Sequence, residues 1–172
     1  MISKSLEETQ KFAQDFLMKL NAGVKSHLAP TSPRLRGAST RDTTSHQQKA
    51  TVLLLQGDLG SGKTTFTQAL ARELGVKNQL TSPTFVLMKS YEISPTATER
   101  FHLSVKNLVH IDAYRLTSGA DLRNLGWDDL VNDPNNLIIV EWPELVADLW
   151  DGSEFKINFK FVDDQTREIT LF

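Results

Sequence analysis

Along this chain the apolar positions change period several times, and each change marks an element. Residues 5–20 place Ala13, Phe16, Leu17 and Leu20 at the three- and four-residue spacings of one helical face, with Ser5 and Glu8 in capping-box positions at its start. The period is then lost. Residues 22–49 hold eight Ser or Thr, two Pro and no aromatic. Such a stretch buries too little apolar surface to offset its ordering entropy, so a long disordered insertion is expected there. Thr51 to Gln56 is a short unbroken apolar run, the pattern of a strand covered on both faces of a parallel sheet. Phe66, Ala69, Leu70 and Leu74 then return to helical spacing over 63–74, and Gly75 supplies a stop.

Thr84 to Ile93 is rich in β-formers and predicts a strand, and 94–104 predicts a loop. Leu108 to Asp112 and Leu137 to Glu141 are two further buried strands. Between them Ser118 and Asp121 open a short helix ending near Gly126, and Asp133-Pro-Asn-Asn136 forms a turn. Pro143 suits the first turn of a helix. Phe155, Ile157, Phe159 and Phe161 alternate, Asp163-Asp164 turns, and Ile169 and Leu171 alternate again, which predicts an antiparallel hairpin. Strands interleaved with helices and closed by a hairpin indicate an α/β fold. The expected architecture is a three-layer domain spanning 1–172 around a mixed, mainly parallel sheet.

Composition narrows the chemistry. The chain has 172 residues, 40% of them apolar and 23% charged, with a formal net charge of −2. Bulk charge therefore draws the protein to neither nucleic acid nor membrane. Within 22–49 five basic residues face one acid, leaving the rest of the chain at −6. With no cysteine, a disulfide framework, a thiolate metal site and a cysteine nucleophile are excluded. No apolar run is long enough for a bilayer, and a cytoplasmic protein is expected.

Gly57-Asp-Leu-Gly-Ser-Gly-Lys-Thr64 fits the phosphate-binding pattern G-x-x-x-x-G-K-[ST]. A strand precedes it and a helix follows it, which is the context the chemistry needs. Glycines at 57, 60 and 62 permit turns that aim successive N–H groups inward, and the helix adds its unpaired N-terminal donors. Gly60, Ser61, Gly62, Lys63, Thr64 and Thr65 are the expected nucleotide-binding residues. Lys63 faces the β- and γ-phosphates, Thr65 can add a contact to the α-phosphate, and the Thr64 hydroxyl is a hard ligand for Mg²⁺. ATP is the expected nucleotide, since no N-K-x-D segment is present to read guanine. A carboxylate at a neighbouring strand end must position the metal or the attacking water. Asp112 and Glu141 each end an apolar strand and are the candidates. For the neighbouring polar and aromatic residues the alternatives are open. His110 reads as a packed or hydrogen-bonded histidine. Arg115 is an arginine finger or a structural ion pair, and Trp142 a base-stacking or a core residue.

The nine residues Gly57–Thr65, then Ser82-Pro-Thr-Phe85, His110-Ile-Asp-Ala-Tyr-Arg-Leu116 and Glu141-Trp-Pro-Glu144 together resemble the TsaE family, bacterial ATPases of the tRNA threonylcarbamoyladenosine pathway. The four motifs stand in the family's order and spacing, across about 51–172. The resemblance implies weak ATP hydrolysis in support of threonylcarbamoyl transfer to N6 of adenosine 37 in tRNAs reading ANN codons. It implies action through a TsaD–TsaB heterodimer, with tRNA met only through that complex. It also implies that Lys63 and Asp112 serve hydrolysis, that Thr64 and Glu141 hold Mg²⁺, and that Ser82-Pro83-Thr84 is a switch-like segment near the γ-phosphate. Residues 22–49 depart from the family, which joins the first helix to the phosphate-loop strand by a short connection. Two other readings compete: a small-molecule P-loop kinase, for which 94–104 with Arg100 alone makes a poor lid, and a nucleotide-binding subunit without useful turnover.

Overall fold

The computed structural model describes residues 1–27, 48–83, 85–164 and 166–172. The element order is β1 (Ile2–Ser3), α1 (Leu6–His27), β2 (Thr51–Gly57), α2 (Lys63–Glu73), β3 (Met88–Glu92), α3 (Pro95–Phe101), β4 (Asn107–Asp112), α4 (Gly119–Asn124), α5 (Trp127–Val131), β5 (Asn136–Glu141), β6 (Phe155–Phe161) and β7 (Arg167–Leu171). Short 3₁₀ turns follow β4 at Ala113–Arg115 and β5 at Pro143–Leu149.

The strands form one sheet in the order β1-β7-β6-β2-β5-β4-β3. Its centre, β6-β2-β5-β4, is parallel, and the pairs at both edges are antiparallel. The apolar runs are continuous because the central strands are covered on both faces. Leu53, Leu55, Leu137 and Ile139 point into a core shared with α1 and α2, while Val52, Leu54, Ile138 and Val140 point into one shared with α4, α5 and the 3₁₀ segment after β5. The result is the three-layer α/β architecture.

On the first face Ala13, Phe16, Leu17 and Leu20 of α1 are all at most 1% exposed, as their spacing required. Phe66 of α2 is the hub of that layer. Its ring lies 5.6 Å from Phe12, 6.3 Å from Phe16 and 5.6 Å from Phe159, so one side chain joins α1, α2 and β6.

Three expectations need correction. The strand expected over 84–93 begins only at Met88, because the Pro83 carbonyl accepts N–H bonds from both Val86 and Leu87 (2.8 and 2.6 Å), and Leu87 sits at φ 65. That turn cannot continue a ladder. The loop expected over 94–104 contains α3, capped by Ser94 with Pro95 in its first turn and anchored by buried Ala97 and Phe101. Seven residues are too few for a helical period to declare itself. The insertion expected to begin at 22 does not begin there, since α1 runs on to His27. Most of that segment, 28–47, lies outside the described residues, as does Thr84. Gly126, expected as a helix stop, both ends α4 and, at φ 90, caps the start of the unforeseen α5.

Phe66→Ala should destabilise the protein by about 3–5 kcal/mol in chemical denaturation, the usual loss for emptying a large aromatic site. Phe85→Ala, at a position 90% exposed, should change stability by less than about 0.5 kcal/mol.

Candidate functional site

All four central strands are parallel, so their carboxyl ends lie along one rim of the sheet, where ligands bind in open α/β folds. The rim carries Gly57 from β2, Glu141 from β5 and Asp112 from β4. The register pairs Glu141 with Leu55 on one side and with Asp112 on the other. Strand pairing alone therefore sets the phosphate loop and both carboxylates side by side.

The loop itself is shaped by what Gly57 lacks. Its φ is 144°, and a Cβ there would meet the Phe159 carbonyl oxygen at 2.2 Å. The chain leaves β2 past the backbone of β6 and turns back at once. Gly62, at φ 103, caps α2, which starts at Lys63. The first-turn N–H groups of a helix have no intrahelical acceptor and face an incoming anion. Ser61 is fully buried, and its Oγ has no hydrogen-bond partner among the described residues.

Lys63 is only 4% exposed and lies back across its own loop. Its Nζ donates to the carbonyls of Gly57 (2.6 Å) and Asp58 (2.9 Å) and stands 3.9 Å from the centroid of the Trp142 ring. Burial pushes the Lys63 pKa below the ordinary lysine value, and the charges of Glu141, Glu144, Asp112 and Asp58 offset part of that effect. Trp142 is held in place by a left-handed backbone (φ 60) and by Tyr114, 5.2 Å ring to ring. The face of this residue is turned to the lysine.

The Thr64 hydroxyl donates to both oxygens of Glu141, at 3.0 Å each. Glu141 Oε1 also lies 2.8 Å from His110 Nε2, and both residues are buried. His110 is thus the hydrogen-bonded histidine expected from sequence. Asp112 accepts from the Tyr114 N–H at Oδ1 (3.0 Å) and from the Ser82 hydroxyl at Oδ2 (3.4 Å). The switch-like segment therefore touches the β4 carboxylate. A hard hydroxyl facing a carboxylate is a donor set fit for Mg²⁺, which takes one or two protein oxygens and fills its remaining positions with phosphate and water. The described residues hold no cluster of three or more His, Cys, Asp or Glu that could bind a metal alone.

Sequence reasoning missed one wall. A cavity of about 480 Å³ opens beside Gly60–Thr65 and is lined by Ser3, Ser5 and Thr9 from the N-terminus and Phe159 and Arg167 from the C-terminal hairpin. Topology brings them together, because β1 pairs with β7 and sets Ser3 against Arg167. No local pattern announces a two-residue strand.

A family model described as "Threonylcarbamoyl adenosine biosynthesis protein TsaE" matches residues 3–169. A Bacillus subtilis protein named tRNA threonylcarbamoyladenosine biosynthesis protein TsaE is 32% identical over 140 residues, covering 81% of this chain and 80% of that protein. A Rickettsia prowazekii protein of the same name is 34% identical over 117 residues, 67% of this chain and 73% of its own length. The crystal structure of Bacillus subtilis YdiB superposes with a TM-score of 0.58 at 27% identity, over 99% of this chain and 82% of that one.

A buried lysine with a lowered pKa costs stability wherever it is charged in both folded and unfolded states. That cost falls as pH rises through the lowered folded-state value towards the ordinary one. Lys63→Met should therefore melt at or above the temperature of the parent protein without nucleotide. ADP, which should raise the parent's melting temperature, should leave the variant's unchanged. A variant melting well below the parent, or still stabilised by ADP, would contradict the assignment.

Proposed function

The chain belongs to the TsaE family, whose members serve threonylcarbamoyladenosine formation on tRNA, and from that premise we propose that it is a weak Mg²⁺-dependent ATPase acting through a TsaD–TsaB heterodimer in the cytoplasm. One observation carries the hydrolytic part: the Thr64 hydroxyl and the Glu141 carboxylate already face each other at 3.0 Å, directly beside the phosphate loop. Thr64 and Glu141 are the residues that would hold Mg²⁺, which would supply neutralisation of the charge that builds on the transferred phosphoryl group. Lys63 exchanges the Gly57 and Asp58 carbonyls for the β- and γ-phosphate oxygens. The N–H groups of Gly60 to Thr65 bind the phosphate chain, and Thr65 adds its contact to the α-phosphate. Asp112, held by the Tyr114 N–H and in reach of Ser82, orients the attacking water and takes its proton. The cavity between the N-terminus and the hairpin receives the nucleoside.

A protein output is supported by the rim of the site. Leu59 (80% exposed), Phe85 (90%), Val86 (59%) and Tyr114 (52%) are large apolar side chains. They sit on the phosphate loop, beside the switch-like segment and after β4. Isolated exposed apolar residues need no explanation, but four around one mouth mark a surface meant to be covered. A partner seated there would feel whether the site holds a triphosphate. The kinase alternative is not supported by α3. Gly75, at the far end of α2 from the phosphate loop, packs on Ser94 and Ala97, so α3 is no lid.

Hydrolysis should be slow for the chain alone with Mg²⁺–ATP and rise when the heterodimer and tRNA are added. Asp112→Asn should keep nucleotide binding and lose more than about tenfold in turnover. Turnover indifferent to the heterodimer, with phosphate appearing on a small-molecule acceptor, would instead make the protein a kinase.

A further inference from the structure

One buried polar side chain beside the site has no part in that chemistry. His110 is 0% exposed and shares its sheet face with Leu108, Leu137 and Ile139, themselves 0% exposed. An apolar residue would pack there, whereas an imidazole loses its hydration and must be compensated by hydrogen bonding. Nδ1 has no partner among the described residues, so the compensation rests on the single contact of Nε2 with Glu141 Oε1 at 2.8 Å. A carboxylate only accepts, so Nε2 carries the proton and the histidine is the donor.

The two oxygens of Glu141 are then unequal. Oε1 receives His110 and Thr64, while Oε2 receives Thr64 alone. The Thr64 hydroxyl can rotate to offer its oxygen to a cation, and both Glu141 contacts from Thr64 are released when it does. The His110 bond survives, because an N–H donor has no other use against a cation. It keeps Oε1 occupied and leaves Oε2 as the oxygen for the metal. We propose that His110 is a positioning residue, whose Nε2–H bond fixes the Glu141 carboxylate so that one chosen oxygen meets Mg²⁺ beside Thr64. The inference rests on the Mg²⁺–nucleotide site proposed above.

The test compares the parent protein with His110→Leu, which fills the space without a donor, and His110→Gln, whose amide can restore one. Three quantities are read: the Mg²⁺ concentration that half-saturates its effect on ADP affinity, ADP affinity in EDTA, and the melting temperature. His110→Leu should raise the Mg²⁺ requirement by about tenfold or more while leaving Mg²⁺-free ADP affinity within about twofold, and His110→Gln should recover most of the loss. Equal falls in melting temperature and Mg²⁺-free affinity, with the Mg²⁺ requirement unchanged, would overturn the assignment and make His110 a packing residue. A measurement needing no variant guards against a leucine protein that does not fold. Imidazole ¹⁵N shifts of the parent should show the Nε2–H form, and a proton on Nδ1 facing away from Glu141 would overturn the proposal. A parent protein whose ADP affinity ignores Mg²⁺ would take down the nucleotide site itself. A parent that responds, beside a leucine variant with the same requirement, would take down His110 alone.

Discussion

No side chain fits where β2 ends. The Phe159 carbonyl of β6 closes on Gly57 so tightly that a Cβ would sit 2.2 Å from it, and the rest of the site depends on that contact. Because β6 lies parallel and in register beside β2, with Gly57 paired to Phe159, the position cannot bear a larger residue. The loop that follows is confined above the sheet rim, and α2 starts where Gly62 allows. Phe66, one turn into α2, then locks the helix against α1 and β6. Cradle and core are thus joined, since the helix that opens at the loop is fixed by an aromatic layer on the sheet face.

The electrostatics of the rim are arranged around a single buried cation. Lys63 has four carboxylates near enough to favour its charge, yet its hydrogen bonds go to loop carbonyls and its remaining face to Trp142. Thr64, Glu141 and His110 form a second chain of contacts alongside. In this arrangement Lys63, Thr64, Glu141 and His110 spend their polar atoms on loop carbonyls and on one another, while Ser61 Oγ and His110 Nδ1 have no partner among the described residues. A nucleotide bound as proposed would displace the lysine from two carbonyls and the threonine from a carboxylate, so part of its binding energy would be spent on opening the site. That cost is consistent with a protein whose proposed output is a change of partner surface rather than rapid turnover.

Much of this was legible in the chain. Buried parallel strands are unbroken apolar runs, and the three that end in Gly57, Asp112 and Glu141 could be read because each stops abruptly at a polar or glycine residue. The turn between β2 and α2 was legible because its glycines stand between an apolar run and a helical period. Legibility failed where structure depends on partners distant in sequence. The turn at Pro83 to Leu87 overrode a stretch of good β-formers, and α3 was too short to show its period. The cavity wall of Ser3, Thr9 and Arg167 exists only because β1 adds to β7. His110 was legible as a bonded histidine, but not which oxygen of Glu141 it holds.

In the proposed site the loop from Gly57 to Thr65 grips the β-phosphate of an adenine nucleotide, and Thr64 and Glu141 would hold Mg²⁺. Calorimetric titration of the chain with ATP, ADP and AMP, each with and without Mg²⁺, tests it most directly. One site should bind ATP and ADP, more tightly with Mg²⁺, and AMP at least about a hundredfold more weakly, since AMP has nothing to place in the cradle. AMP binding as tightly as ADP, or ATP binding that ignores Mg²⁺, would contradict it.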